Sequence, residues 1–241
     1  MTTARHLIAC CSVTLCALGA AAPAPAAEWV SYRDAYRAMV VFEKYGGPKN
    51  QIQNHLQVAP RAPGVSLEGV QLTLSGKATQ VNLPLDPLGR TSFPLLKAAY
   101  DDNATLVLNR GIGAFTVRPR VSLLPQADGV YEDATLRAAC AQALGYARYV
   151  DASLRARQCA GVRFVFAKRN PGNPGNPGSA AIAVRLHRPD GADQPLALAT
   201  GAAFQGDLDE AFPTVVYRFD GAERAQVISA NIPLAIVPLF E

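Results

Sequence analysis

Three groups of residues have types and spacings that could do chemistry: a cysteine pair, an arginine trio and a short acidic run. Arg118 and Arg120 stand two residues apart in an alternating stretch, so both project from one face of a strand. Arg110, just past a neighbouring strand, can join them. A cluster of planar guanidinium groups suits carboxylate or phosphate groups on lipids, glycans or a partner protein. The competing reading is a solvated sheet face paired with local acids. Asp207, Asp209 and Glu210 follow Gly206 closely. Two such carboxylates could serve glycosidic acid–base chemistry, and they equally suit a loop or a helix start. Asp101, Asp102 and Asn103 offer three oxygen ligands, but a calcium loop spaces its ligands and adds a bidentate Glu, so a turn is expected and no metal.

Other chemistry is excluded by what the chain lacks. Beyond the first 26 residues it holds two histidines, His55 in a polar stretch beside Asn54 and His187 between Leu186 and Arg188. It has no His-Glu-x-x-His, Cys-x-x-Cys, Gly-x-Ser-x-Gly, phosphate loop or dinucleotide fingerprint. No cofactor is therefore expected. A net charge of +4 over 241 residues is too mild for a nucleic-acid partner.

The first 26 residues read as an address. Arg5 supplies a positive start, Leu7 to Ala22 carries no charge, and Ala24-Pro25-Ala26 is a small-x-small cleavage site. This three-part pattern is that of a secretory signal peptide, expected to be cut after Ala26. Cleavage would leave 215 residues and lower the charge by one, to +3. It would also remove Cys10, Cys11 and Cys16 and leave Cys140 and Cys159 as a pair. The expected location is periplasmic or secreted, in a bacterium, where such a pair can oxidise. Past the leader no apolar run approaches the ~20 residues a membrane-spanning helix needs.

Residues 29 to 45 carry a helical pattern. Ser31 and Asp34 resemble a capping box, Trp29, Tyr32, Tyr36, Met39 and Val40 share a face, and Gly46-Gly47-Pro48 stops the run. Residues 48 to 66, polar and proline-containing, read as a connection. From residue 68 the period is two: Val70, Leu72 and Leu74, then Val81, Leu83 and Leu85, then Phe115, Val117, Val121 and Leu123 alternate with polar residues. Ala104 to Asn109, apolar on both faces, suits a central strand. The segment Leu85 to Pro94 places an Asp86…Gly89-Arg90 turn and a Phe93-Pro94 step between two strands. In this it is similar to the transthyretin-like or regulatory-like sandwich modules of secreted bacterial proteins. The resemblance covers about a quarter of the chain and implies a fold, with no activity attached.

Residues 132 to 158 are helical again, with Leu136, Cys140, Ala143, Ala147, Val150 and Leu154 at four-three spacing. One straight helix would hold Cys140 and Cys159 roughly 28 Å apart, whereas a disulfide needs Cα atoms within about 7 Å. A reversal near Tyr149, with Asp151 capping a second short helix, reconciles the two, so a helical hairpin with a Cys140–Cys159 bridge is expected. Gly161 to Lys168 and Ala180 to Arg188 read as neighbouring strands around a mobile loop, Asn170 to Gly178, made of three Asn-Pro-Gly repeats. Thr214 to Phe219 and Ala225 to Ala230 flank Asp220-Gly221 as a hairpin, and Ile232 to Phe240 reads as a covered edge or docked tail.

The expected architecture is α+β: an N-terminal helix, a small antiparallel β-sandwich-like module, then a helical hairpin packed on a second antiparallel sheet. The boundaries fall at 1–26 (signal), 27–65, 66–125 and 126–241. The expected function is that of an exported, non-catalytic binding or interaction module of a bacterial envelope, with an envelope protein, glycan or anionic lipid as partner. The rivals are an envelope hydrolase using the loop carboxylates, and a purely structural accessory.

Overall fold

The computed structural model describes residues 29–168, 182–209, 211–219 and 224–241. The leader, the Asn-Pro-Gly repeats, Glu210 and the Asp220-Gly221 turn lie outside them. Helices and antiparallel strands are mixed along the chain, so the class is α+β. No helix among the described residues is long and apolar enough to cross a membrane.

The chain opens with a short strand, β1 (Trp29–Ser31), and then α1 (Tyr32–Lys44). The Ser31 side chain accepts a hydrogen bond from the Asp34 amide, as the sequence pattern predicts for an N-cap. Tyr32, Ala35, Met39 and Phe42 are the residues that α1 buries, while Trp29 precedes the helix and is exposed. Strands β3 (Gln71–Ser75), β4 (Gln80–Pro84) and β6 (Thr105–Leu108) join β1 in a four-stranded sheet of order β1-β6-β3-β4. The doubly apolar β6 is thus interior. Leu72, Leu74, Leu83 and Leu106 pack with Tyr32 and Met39 of α1 and with Leu56 and Val58 of a strand the sequence pattern had hidden.

That strand is β2 (Ile52–Pro60), in the stretch expected to be a connection. Its polar residues do not expose it, because both faces of the sheet it joins are covered, and Gln53 and Gln57 find hydrogen-bond partners there. β2 pairs along its full length with β7 (Phe115–Leu123) inside a seven-stranded sheet, in which β5 (Arg90–Thr91) forms the edge beside β2. The turn that resembles a sandwich module therefore carries the chain from the four-stranded sheet to the seven-stranded one. A short helix, α2 (Lys97–Asp101), follows in place of a second strand of the same sheet.

After β8 (Val130–Glu132) comes α3 (Asp133–Val150), and the chain reverses where expected: Asp151 accepts from the Ser153 amide. The second arm is a single 3-10 turn, Ala152–Ala156, and Cys159 already opens β9 (Cys159–Val165). The Cys140 and Cys159 sulfurs lie 2.16 Å apart with Cα atoms at 6.1 Å, a disulfide.

Three further expectations are corrected by the pairing of the C-terminal half. The remaining strands are β10 (Val184–His187), β11 (Asp193–Pro195), β12 (Leu198–Gly201), β13 (Phe212–Arg218), β14 (Gln226–Ser229) and β15 (Ala235–Phe240). β9 and β10 are not neighbours: β10 lies in a four-stranded sheet of order β11-β10-β14-β8, and β9 lies between β13 and β15. β13 and β14 are likewise in different sheets and form no hairpin. The terminal segment is interior, in the order β12-β13-β9-β15-β7-β2-β5. Its proline is tolerated because β7 pairs β15 only at Ile236, so no ladder bond is asked of Pro238 on that side.

Alternation then fixes the two faces of the large sheet. Val162, Phe164, Val215, Tyr217 and Ile236 pack with Leu136, Ala139 and Ala143 of α3. Val165, Phe212, Ala235 and Val237 face the other way and pack with Leu88, Ala203 and Phe204. A loop, 202–209, lies over this second face.

Candidate functional site

The second face of the large sheet carries a layer of arginines. Arg118 and Arg120 of β7 stand opposite Gln57 and His55 of β2, and Arg90 of β5 is the partner of Gln57 on its other side. The inward positions of β2, Leu56 and Val58, are fully buried, so Gln57 and His55 are turned to this outer face by strand alternation.

The arginine pair and the acidic run, read separately in the sequence, meet here. Asp207 Oδ1 accepts from Arg118 Nη2 at 2.6 Å and from Arg120 Nη2 at 2.5 Å. Asp207 Oδ2 accepts from Gln57 Nε2 at 3.2 Å and from the Phe204 amide at 3.3 Å. Gln57 is buried, and its Oε1 accepts from the Nε of Arg120 at 2.8 Å and of Arg118 at 3.3 Å. Its Nε2 also donates to Leu88 O. The side chain of Asp207 is 10% exposed, those of Arg120 and Arg118 16% and 33%. Burial draws the Arg120 guanidinium below the ordinary arginine range, and the Asp207 carboxylate works against that shift. Phe204 lies beneath two cations, Arg120 at 4.9 Å and Arg90 at 5.8 Å from its ring centre.

Arg90 is held by the turn that precedes it. Asp86 Oδ1 accepts from the amides of Leu88 and Arg90, and its Oδ2 takes both Nε and Nη2 of the Arg90 side chain. Arg90 Nη2 also donates to Leu234 O, while its buried Nη1 has no partner. Arg163 of β9 completes the layer by donating to Ala202 O. Gly89, at φ +72°, permits this turn: a Cβ there would lie 2.6 Å from the Val58 carbonyl oxygen.

Beside the network runs a cleft of about 810 Å³. Arg118, Lys168, Asp207 and Asp209 line it together with apolar Val65, Leu67, Val70 and Leu208. Arg110 does not join Arg118 and Arg120 around the carboxylate. It is exposed and donates to Ser66 O and Glu68 O, holding the backbone of two residues that line the same cleft. Asp209 pairs with Lys168 at 2.5 Å, also at the cleft, and Glu210 lies outside the described residues.

Elsewhere, Asp101 pairs with Lys97 across one turn of α2, and Asn103 takes a left-handed conformation at φ 57° where that helix ends. His187 of β10 contacts Asp193 at 2.7 Å. No group of three metal-ligating side chains occurs among the described residues. Gln57, His55, Arg90, Asp86 and Phe204 are the site residues that sequence reasoning missed. Asp86 and Arg90 were visible as a turn, but the other three carried no signal until β2 was known to be a strand and loop 202–209 to cover it.

No known protein family, curated protein or solved structure matches this chain.

Proposed function

We propose that this chain is an exported binding module of a bacterial envelope, non-catalytic, that meets its partner at the cleft bordered by Arg118. Export is supported by the leader pattern of residues 1–26 and by the Cys140–Cys159 disulfide, which belongs to oxidising compartments. The observation that carries the binding reading is the concave, half-apolar cleft lined by Arg118, with the rest of the fixed guanidinium layer beside it. Those cations are preorganised: Gln57 holds both guanidinium groups by their Nε and Asp207 now takes their Nη2, so an anionic group on an envelope protein, glycan or lipid would meet them in a fixed geometry. The hydrolase reading draws on Asp207, Asp209 or Glu210; both Asp207 oxygens are engaged by donors and Asp209 is paired with Lys168, while Glu210 lies outside the described residues. The test is capture from an envelope extract. The native chain should retain a partner that Arg118→Glu with Arg120→Glu releases while still melting cooperatively. Unchanged capture by that variant would remove the arginines from the contact.

A further inference from the structure

The ligand of the arginine layer can be read from what now occupies it. Asp207 is a carboxylate on a loop, and the receptor groups around it come mainly from the rigid sheet: two guanidinium groups from β7 and an amide from β2. The layer also holds more cation than its carboxylates balance. Among the described residues, Arg90, Arg118, Arg120 and Arg163 stand there against Asp86 and Asp207, and the Arg90 Nη1 is buried without a partner. Guanidinium groups in excess of carboxylates, with Arg90 buried and the other three partly so, leave an uncompensated field that favours an anion. Asp207 and Leu208 line the cleft themselves, so displacing them opens the sheet arginines directly into it. The loop is built for a short excursion. Ala203 and Phe204 are buried anchors, Gly206 sits at φ +78°, and Leu208 is half exposed although apolar.

We propose that Arg118, Arg120 and Gln57 form a receptor for the carboxylate of an apolar organic acid, whose hydrocarbon body lies in the adjacent cleft, and that Asp207 is a built-in competitor that the acid displaces. A carboxylate is favoured because the planar, two-oxygen group of Asp207 already satisfies these donors. The body is apolar because Val65, Leu67, Val70 and Leu208 line the space next to it. Displacement moves residues 205 to 208 about the Phe204 anchor and leaves the sheet unchanged. No bond is made or broken in the exchange.

The inference rests on the binding reading above, and the two fail separately. Octanoate is titrated calorimetrically into the native chain and into Asp207→Asn, with octanol as the uncharged control. Removing the competitor should tighten octanoate binding at least ~tenfold, the gain expected where the closed loop outnumbers the open one by about ten. Octanol should bind neither protein, and Arg118→Gln should lose octanoate. On the native chain, saturating octanoate should lower amide-exchange protection at Phe204, whose amide donates to Asp207, and at residues 205 to 208, and leave the paired amides of β2 and β7 unchanged. Equal affinity of octanoate for native chain and Asp207→Asn, binding of octanol as strong as octanoate, or unaltered exchange would each overturn the proposal. Envelope capture that depends on Arg118 and Arg120 in a protein that ignores octanoate would overturn this inference alone.

Discussion

His55 stands across the β2–β7 ladder from Arg120, and its Nδ1 is buried with no hydrogen-bond partner. Burial lowers its pKa from the ordinary 6.5, the Arg90 charge lowers it further, and Asp86 opposes both. The neutral imidazole is therefore the form the fold prefers. As pH falls below about 6.5 the unfolded chain takes up this proton before the folded one does, so stability is full above that value and is lost through the window beneath it. Replacing His55 by Gln should flatten this part of the profile. Urea unfolding of both proteins from pH 8 down to pH 5 reads the difference directly, and identical slopes would show that His55 titrates alike in the two states. The same residue shows why a side chain's surroundings are hard to infer from its neighbours in sequence. Next to Asn54 and Gln57 it looked like part of a polar loop, whereas in the strand it faces arginines.

At the scale of elements, the α3 reversal follows from local chemistry. A helix of this pattern cannot continue through Cys159 and also bring it to Cys140. Asp151 caps the chain where the alternative begins, and the sulfurs meet. The bridge closes a separation of 19 residues between α3 and the first residue of β9, for which chain entropy gives a stabilisation of about 3 kcal/mol. Replacing both cysteines by serine should lower unfolding free energy by roughly that amount. Denaturant melts of the double variant, and of native protein with and without reductant, measure it. The second arm is a 3-10 turn because only Ala152 to Arg157 separate the Asp151 cap from Gln158, whose backbone already pairs with Glu241 beside β15. Pairing to the sheet claims residues that helix propensity alone would have assigned to a longer arm.

For the molecule as a whole, export predicts a definite N-terminus. Expressed in a Gram-negative host with its own leader, the protein should be recovered from the periplasm beginning at Ala27, with Cys140 and Cys159 resistant to alkylation until reduced. Intact mass and N-terminal sequencing check both, and a chain that stays in the cytoplasm with its leader would remove the export reading. The mixed class, the N-terminal helix with its Ser31 cap, the interior β6 and the disulfide were all decided locally. Each depends on a periodicity, a cap or a distance limit within a few dozen residues. The order of the seven-stranded sheet was not, because strands separated by long stretches of chain are chosen as partners by the shape of the assembled core and not by their own pattern. That is why β2 was hidden among polar residues and why the apolar C-terminus became an interior strand. The site shows the same division. Residue types identified Arg118 and Arg120 as a pair and Asp207 as a carboxylate of interest. Only the tertiary structure, by folding loop 202–209 back across β7, made them partners in one network.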